Sequence, residues 1–564
     1  MGATQSIHPI AELPSERSEL GEPIIVLENV TKTYGSLELF RGLSLEIRKG
    51  EAVVIMGESG SGKSQLIKLM NGLVFPDTGS VKLFGKDTKE MSRKELMAAR
   101  ARIGTLFQSY ALFDSMTVEE NVAFPLIELK GIAPHEANKR AQELLTTLGL
   151  SDAGALFPSS LSGGMKKRVS LARALIVDPE IVLFDEPTTG LDPVMIEFVD
   201  EMLIDARQNY DITSVIISHD IASAFKLADR MAMLHQGEIT FIGTPAEARA
   251  SELPELRRFL EAATSRLASE EGADQSGVDS EGAEDRIAYR SPTGVAVRAD
   301  DDGLRFEDLP PAEIAPIVTI ENVEKVFGDR KILHGASFYI MPERITTIIG
   351  GSGSGKTVLM KHVLGLFQPS GGRITVFGDD MSKLSSKEVL QKRLNFGMLF
   401  QSAALFDSMT IEENVMFPLM EQPHSQWTQA KAREQAMDTL QRLKIDELAK
   451  KFPSDISNGQ RKRVGLARAI VSQPKILIYD EPTTGLDPVM TSYVNDMIVE
   501  AQETFNVTAL IVSHDMASTF RISHRIAMLY RGRIVAFGTP DDIRACEHPR
   551  VREFIYAGEV AGDA

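Results

Sequence analysis

The sequence predicts an α/β protein made of two similar domains. Short apolar runs with β-branched residues occur at Ala52–Met56, 181–184 and 214–217, which is typical of buried parallel strands. Alternation of such strands with helical segments implies helices packed around a largely parallel sheet. A glycine-rich segment at 57–64 returns at 350–357, so we interpret the chain as one domain duplicated.

The elements of the first copy follow from local patterns. Helices are predicted over 64–73, after the glycine-rich segment, and over 134–148 and 163–175. Residues 231–234 and 239–242 flank a Gln-Gly turn and predict a β-hairpin.

The repeat extends through most of the chain. Lys356 follows Lys63 by 293 residues (356 − 63), and Asp480 follows Asp185 by 295 residues (480 − 185). The second copy therefore gains two residues between these points, in a polar stretch predicted to be helical.

Between the copies the chain becomes acidic and rich in Gly, Ser and Ala. Such a composition buries too little apolar surface to offset the entropy of ordering the chain. The predicted organisation is a flexible N-terminal tail (1–22), a first domain (23–263), a disordered acidic linker (264–316) and a second domain (317–564).

Composition excludes several classes of protein. The 564 residues carry a formal charge of −18, which argues against a nucleic acid as the main partner. Cys546 is the single cysteine, so we expect no disulfide framework and a reducing, cytoplasmic location. No apolar run approaches the roughly 20 residues that cross a bilayer, and any transport role would need a separate membrane partner.

The glycine-rich segments have the pattern of a phosphate-binding loop between a strand and a helix. Glycines let backbone N–H groups surround phosphate oxygens at the positive end of the helix. Lys63 and Lys356 would reach the β- and γ-phosphates, while Ser64 and Thr357 would bind Mg²⁺. The predicted phosphate-binding residues are Gly57, Ser59, Gly60, Gly62, Lys63 and Ser64 in the first copy, and Gly350, Ser352, Gly353, Gly355, Lys356 and Thr357 in the second.

Paired carboxylates end an apolar strand in each copy. Asp185 and Glu186 stand in the first copy, and Asp480 and Glu481 in the second. The aspartates suit contact with Mg²⁺, and the glutamates suit polarising the water that attacks the γ-phosphate. These motifs together predict hydrolysis of a nucleoside triphosphate.

A third motif narrows the class. Residues 161–165 read Leu-Ser-Gly-Gly-Met and precede a basic helix, which resembles the signature sequence of ABC ATPases. The resemblance covers nearly all of the chain except the tail and the linker. It implies two P-loop ABC ATPase domains that form an intramolecular pseudo-dimer. Each would have a RecA-like α/β lobe, an antiparallel β subdomain and a helical subdomain. ATP and Mg²⁺ are the implied cofactors, and each signature would close over the nucleotide of the other half.

The resemblance also implies roles for single residues. The signatures would contact nucleotide through Ser162, Gly163 and Gly164, and through Ser457, Asn458 and Gly459. Gln108 and Gln401 would sense Mg²⁺ and the γ-phosphate, His219 and His514 would hold the γ-phosphate and the attacking water, and Asp192 and Asp487 would communicate across the dimer. Tyr34 and Phe327 would stack on adenine; packing in the core is the alternative for both.

The two halves differ at one signature position. Asn458 stands where the family has its first glycine. Asn tolerates positive φ better than most residues, but its side chain would crowd a close approach of backbone to phosphate. Because signatures act on the opposite half, we expect the Lys63 site to hydrolyse ATP more slowly than the Lys356 site.

The segments at 111–126 and 404–419 follow Gln108 and Gln401, and the resemblance implies that they face a permease. They resemble the ATPases of the Mla and Mce lipid-transport systems, as does the C-terminal stretch 549–554. This resemblance implies lipid transport across a bacterial envelope, with a permease and an Mce-type lipid-binding protein as partners. The ATPase would be peripheral on the inner face of the cytoplasmic membrane. Leu112, Phe113 and Met116 would dock a permease helix, or else belong to the local core.

Two other functions remain as alternatives. An ATPase of an importer for amino acids or other polar solutes differs from the lipid hypothesis only in the permease-facing stretch. A ribosome-associated tandem ABC ATPase would carry a long, basic, helical linker, whereas this linker is acidic.

Overall fold

The computed structural model describes residues 21–35, 37–107, 110–161, 163–210, 212–271, 296–297, 303–312, 314–400, 403–421 and 427–556. The predicted tail, except for its last two residues, and most of the predicted linker lie outside these ranges.

The described first half contains ten strands and nine α-helices. The strands are β1 (Pro23–Tyr34), β2 (Leu37–Arg48), β3 (Ala52–Met56), β4 (Thr78–Leu83), β5 (Lys86–Asp87), β6 (Ile103–Leu106), β7 (Ile181–Asp185), β8 (Thr213–Ile217), β9 (Arg230–His235) and β10 (Glu238–Gly243). The helices are α1 (Lys63–Met70), α2 (Arg93–Arg100), α3 (Val118–Lys130), α4 (Pro134–Thr147), α5 (Gly163–Leu175), α6 (Pro193–Tyr210), α7 (Ile221–Leu227), α8 (Pro245–Ala250) and α9 (Pro254–Glu271).

The second half repeats this order and adds one short strand at its start. Its strands are β11 (Ala296–Val297), β12 (Val318–Phe327), β13 (Arg330–Ile340), β14 (Ile345–Ile349), β15 (Gly371–Val376), β16 (Asp379–Asp380), β17 (Phe396–Leu399), β18 (Ile476–Asp480), β19 (Thr508–Val512), β20 (Arg525–Tyr530) and β21 (Arg533–Gly538). Its helices are α10 (Lys356–Val363), α11 (Ser386–Arg393), α12 (Ile411–Met420), α13 (Gln429–Arg442), α14 (Asn458–Ile470), α15 (Pro488–Phe505), α16 (Met516–Ile522), α17 (Pro540–Arg544) and α18 (Pro549–Tyr556).

Each half contains a mixed sheet and a smaller antiparallel sheet. The mixed sheet of the first half has the order β10-β9-β3-β8-β7-β6, in which β10 is antiparallel and the other strands are parallel. The antiparallel sheet has the order β2-β1-β4-β5. Helices α3, α4 and α5 enclose a separate core and form the helical subdomain. The fold class expected from the sequence is confirmed.

Strand β3 shows why the apolar run predicts a buried strand. Its side chains alternate between two cores, since Val53 and Ile55 face the antiparallel sheet and α1, whereas Val54 and Met56 face the opposite layer of helices. A strand covered on both faces has no solvent side, so no polar residue interrupts it.

The positions of three elements in the structure agree with the positions predicted from the sequence. β3 and α5 have the predicted bounds, and β9 pairs with β10 as the predicted hairpin. Helix α1 ends before the predicted residue 73, because Gly72 adopts φ +68° and turns the chain out of the helix.

The C-terminal helix of each half packs on its own half and also contacts the other half. Helix α9 of the first half lies against α15 and α16 of the second, and α18 of the second half lies against α6 of the first. Val194 of α6 packs on the buried cluster that includes Val551 and Phe554 of α18. This crossed packing joins the halves independently of the linker.

Part of the predicted disordered linker packs on the second half. Ala296–Val297 pairs with β21, and the backbone N–H of Leu304, whose side chain is buried, donates to Ile534 O at 2.7 Å. The hydroxyl of Tyr339 donates to Pro310 O at 3.0 Å. The prediction of disorder rested on the average acidic composition, which does not reveal a few apolar residues that become buried. Residues 303–312 therefore belong with the second half, and helix α9 extends past residue 263 to Glu271.

No helix among the described residues has the length and apolar character needed to cross a bilayer.

A buried carboxylate in α6 leads to a stability prediction. Ser223 Oγ donates to Asp200 Oδ2 at 2.7 Å, while Asp200 Oδ1 has no hydrogen-bond partner in the structure. Burial, with a smaller contribution from the charge of Asp220, raises the pKa of Asp200 to about 7. The second half has Asn495 at the equivalent position, where its amide donates to Ser518 Oγ at 2.8 Å.

Asp200→Asn is expected to stabilise the first half at pH 8. The pKa of Asp200 is higher in the folded than in the unfolded protein. Stability is therefore lost as the pH rises from about 4 to about 7 and stays low above that range. The gain on substitution should be about 1–3 kcal/mol at pH 8 and nearly zero at pH 4, measured by urea unfolding. Asn495→Asp should have the opposite effect, and an equal gain at both pH values would contradict the explanation.

Candidate active site

The glycine-rich segment of each half lies between a strand and a helix, as predicted. Gly62 adopts φ +101° and precedes α1, and Gly355 adopts φ +107° before α10. Gly57 has no room for a side chain, because a Cβ there would lie 2.4 Å from Leu234 O. These glycines hold the loop in a curve that a chain with side chains at the same positions would not adopt.

The loop lysines are buried and point back into their own loops. Lys63 Nζ donates to Gly57 O and Glu58 O, both at 2.8 Å. Lys356 Nζ donates to Gly350 O at 2.7 Å. Burial lowers the pKa of Lys63 to about 8, against the opposing effect of nearby carboxylates such as Glu186 and Asp487. A buried ammonium beside a phosphate-sized curve is well placed to bind an anion.

The carboxylate pairs lie beside these loops. Ser64 Oγ donates to Asp185 Oδ1 at 3.0 Å, which brings together the two oxygen ligands predicted for Mg²⁺ in the first half. Burial raises the pKa of Asp185, and likewise that of Asp480 in the second half. The loop also holds buried hydroxyls without a hydrogen-bond partner, at Ser59, Ser61 and Ser354. The residues present therefore fit a Mg²⁺–nucleotide complex.

Each glutamate is held by a histidine and a threonine. His219 Nε2 lies 2.8 Å from Glu186 Oε1, and Thr189 Oγ1 donates to Glu186 Oε2 at 3.0 Å. Burial opposes ionisation of Glu186, but the hydrogen bond and charge of His219 outweigh it and lower its pKa. In the second half His514 Nδ1 lies 2.8 Å from Glu481 Oε2, and Thr484 Oγ1 donates to the same oxygen at 3.0 Å.

The backbone of both glutamates lies in the left-handed region. Glu186 has φ +54° and Glu481 has φ +51°, a conformation that is unfavourable for a side chain of this size. The hydrogen bond from Glu186 N to Ile217 O, at 3.1 Å, holds this turn on the neighbouring strand. Each carboxylate is thereby directed away from the strand that precedes it and towards its histidine.

Reciprocal hydrogen bonds join the active sites of the two halves. Asp487 Oδ2 accepts from Ser59 N, and Asp192 Oδ2 accepts from Ser352 N, each at 2.8 Å. Each aspartate also caps its own helix, as Asp487 Oδ1 accepts from Met490 N at 3.0 Å. Both halves thus contribute to each phosphate-binding loop.

The signatures lie next to these interfacial aspartates. A Cβ on Gly164 would lie 2.7 Å from Met195 Cε, and Met195 N donates to Asp192. In the second half, a Cβ on Gly459 would lie 3.0 Å from Met490 Cε. Each signature is therefore close to the phosphate-binding loop of the opposite half.

A family model described as "ABC transporter" matches residues 40–189 and 333–484, which are more than half of the chain. The chain belongs to the ABC transporter family. As a member of this family it is an ATP-binding protein that hydrolyses ATP to power transport.

Two of the relatives match nearly the whole length of this chain. The glutathione import ATP-binding protein GsiA of Escherichia coli O157:H7 is 28% identical over 95% of this chain and 90% of its own length. GsiA of Pectobacterium atrosepticum is 28% identical over 92% of this chain and 86% of its own length. Neither is named as a lipid-transport ATPase.

Single cassettes among solved structures match part of the chain. The ATP-binding cassette MJ0796, in a dimeric post-hydrolysis state bound to ADP and Pi, is 35% identical over 39% of this chain and 99% of its own, with a TM-score of 0.38. The protein cbiO1 from Clostridium perfringens, part of the ABC transporter complex cbiONQ, is 28% identical over 44% of this chain and 97% of its own, with a TM-score of 0.39.

The structure allows most of the predicted ABC site residues to be placed. Tyr34 and Phe327 are 44% and 42% exposed, which supports stacking on a base rather than packing in the core. His219 contacts Glu186, and His514 contacts Glu481. Gln108, Gln401 and Ser162 lie outside the described residues.

The structure changes the argument about Asn458. It begins helix α14 and is exposed, and it is not among the residues with positive φ. Tolerance of positive φ is therefore irrelevant at this position. A Cβ on Gly163, its counterpart, would meet only Tyr110 Oη, at 3.5 Å. Space for a side chain exists within the half itself, so any crowding must arise against the ligand of the opposite half.

Sequence reasoning missed two pairs of site residues. Thr189 and Thr484 hold the glutamates, and the buried Lys167 and Lys462 extend from the signature helices. The sequence repeat could have identified these residues, because threonine and lysine recur at equivalent positions of the two halves.

The lowered pKa of Lys63 predicts a pH dependence for ATP binding. Phosphate binds the charged ammonium, so ATP affinity at the Lys63 site should fall as the pH rises above about 8. Between pH 7 and pH 9 the expected loss is about 10-fold, measured with a fluorescent ATP analogue on the Lys356→Ala variant. Lys63→Arg in the same background should show no such loss, because Arg stays charged. An equal loss in both variants would exclude Lys63 as the cause.

Proposed function

We propose that this chain hydrolyses ATP at two composite sites, each built from both halves, and so drives a separate membrane permease. The reciprocal hydrogen bonds from Ser59 N to Asp487 and from Ser352 N to Asp192 carry this proposal. The Lys63 site includes Glu186 with the signature at Asn458. The Lys356 site includes Glu481 with the signature at Gly163.

The residues of each site have separate tasks. Mg²⁺, when bound by Ser64 and Asp185 or by Thr357 and Asp480, supplies charge neutralisation for the phosphates. Glu186 is ionised near neutral pH and polarises the attacking water. His219, 2.8 Å from that carboxylate, orients it and can move to the γ-phosphate. Gln108 and Gln401 would complete the Mg²⁺ shell and signal to the permease.

Two candidates remain for the transported molecule. Import of a small polar solute is supported by the relatives, which are named as glutathione import ATPases and match this chain nearly end to end. Lipid transport with an Mce-type partner is supported by the stretches at 111–126 and 404–419. Both candidates place the chain at the cytoplasmic face of the membrane through its permease.

The stretch at 111–126 is organised around a buried asparagine. The side chain of Asn121, which is fully buried, accepts from Phe113 N at 2.8 Å and donates to Phe113 O, Met116 O and Thr117 O. Phe113 is left 42% exposed and pairs with Phe124 at 4.9 Å between ring centroids. Asn414 and Phe406 repeat this arrangement in the second half. A fixed turn that presents an exposed aromatic suits an apolar helix of a permease.

Affinity purification of the tagged chain from detergent-solubilised native membranes tests the proposal. A co-purifying permease with a solute-binding protein would favour import of a polar solute, whereas one with an envelope-spanning lipid-binding protein would favour lipid transport. Phe113→Ala/Phe406→Ala should lose the permease and keep the basal ATPase rate. Recovery of ribosomes without any membrane protein would refute the transport proposal.

A further inference from the structure

The signature helix of each half carries a buried lysine that no task above uses. Lys167 in α5 is 2% exposed, and its Nζ donates to Pro187 O at 2.5 Å and to Thr189 O at 2.8 Å. Lys462 in α14 is 6% exposed, and its Nζ donates to Pro482 O at 3.0 Å. Burying an ammonium is costly unless its donors are satisfied. The same contact in both halves therefore indicates a specific use.

The acceptors of Lys167 belong to the turn that connects two active sites. Glu186 begins this turn and serves the Lys63 site. Asp192 ends it and binds Ser352 N in the loop of the Lys356 site. Thr189, between them, contacts both Lys167 and Glu186. Its carbonyl accepts from Lys167, and its hydroxyl donates to Glu186 Oε2 at 3.0 Å.

The turns of the two halves also meet. A Cβ on Gly485 would lie 3.6 Å from Thr189 Cγ2, and a Cβ on Gly190 would lie 3.9 Å from Thr484 Cγ2. The two turns are therefore neighbours, with Gly485 beside Thr189 and Gly190 beside Thr484.

We propose that Lys167 and Lys462 are positioning residues that couple each signature helix to the catalytic glutamate of its own half. The signature of the first half binds nucleotide at the Lys356 site, whereas Glu186 works at the Lys63 site. Through Lys167, engagement of nucleotide at the Lys356 site sets the position of Glu186. Lys462 makes the reverse connection to Glu481. This inference rests on the composite sites proposed above.

The two sites can be tested separately by silencing one glutamate at a time. Glu481→Gln leaves hydrolysis at the Lys63 site, and Glu186→Gln leaves it at the Lys356 site. Lys167→Met removes the donor, and Lys167→Gln keeps a donor on a side chain of the same length as Met. Thermal unfolding of each variant reports any general loss of folding.

The expected result is a crossed pattern. In the Glu481→Gln background, Lys167→Met should lower kcat about 10-fold with KM for ATP nearly unchanged, and Lys167→Gln should recover most of it. In the Glu186→Gln background, Lys167→Met should change kcat less than about twofold. Lys462→Met should give the mirror image.

Two outcomes would overturn the inference. A loss confined to the Lys356 site would mean that Lys167 merely supports its signature, and equal losses for Met and Gln at both sites would mean a general structural role. The Glu186→Gln/Glu481→Gln variant tests the proposed composite sites independently of the inference about Lys167. If that double variant hydrolysed ATP at the normal rate, the glutamates would not be catalytic and both proposals would fall.

Discussion

Glu481→Gln is expected to remove most of the steady-state ATPase activity, whereas Glu186→Gln should remove less than half. Loss of a general base costs about 10²–10⁴-fold at the site it serves. Glu481 serves the Lys356 site, whose facing signature keeps both glycines. In the proposed arrangement Glu186 serves the Lys63 site, which is completed by the signature that contains the exposed Asn458. A malachite-green phosphate assay on the purified variants measures the difference.

Asn458→Gly provides the matched control. It restores the first glycine of the second signature, so in this background the two glutamine variants should lose similar amounts of activity. If Glu186→Gln proves the more damaging change in the native background, the assignment of the slower site is wrong. If Asn458→Gly leaves the asymmetry intact, another difference between the halves causes it.

Asp192→Ala/Asp487→Ala is expected to lower ATPase activity more than about 10-fold. Each aspartate makes a charge-assisted hydrogen bond to the opposite loop, at 2.8 Å, and such bonds contribute about 1.5–3 kcal/mol each. Each also caps its own helix, so part of the loss will be local stability. The dependence of the ATPase rate on ATP concentration measures whether the two sites remain cooperative.

Single variants separate the two roles of these aspartates. Asp487→Ala should impair the Lys63 site first, because Asp487 contacts Ser59 and helps to keep Lys63 charged. Asp487→Asn keeps an acceptor for the cap but loses the charge, and should fall between the wild type and Ala. Unchanged kinetics in the double variant, with a lowered Tm alone, would show that the aspartates only cap their helices.

The sequence predicted local features of this fold better than distant ones. β3 and α5 carry their own signals, an unbroken apolar run and a turn motif before a helical stretch, so their bounds agree with prediction. The crossed packing of α9 and α18 depends on contacts between residues far apart in the chain, which no local pattern reveals. Leu304 likewise lies in an acidic segment whose average composition hides a single buried anchor.

The active site shows the same division. Motifs identified the chemical groups, including the lysines, carboxylates and histidines. The hydrogen bond of His219 to Glu186 and the contacts of Lys167 were not predictable, because they depend on the relative placement of separate elements. For Asn458 the sequence argument combined backbone tolerance with side-chain crowding, and only the crowding remains relevant because the structure places Asn458 in a helix without positive φ.

The covalent fusion of the halves has a consequence for how this enzyme can change over evolution. In an assembly of two identical chains, every substitution is present in both copies, so neither copy retains the original residue. Here Asn458 and Asp200 each occur in one half only, opposite Gly163 and Asn495. A substitution at one of these positions therefore changes one half and leaves the equivalent position of the other half unaltered.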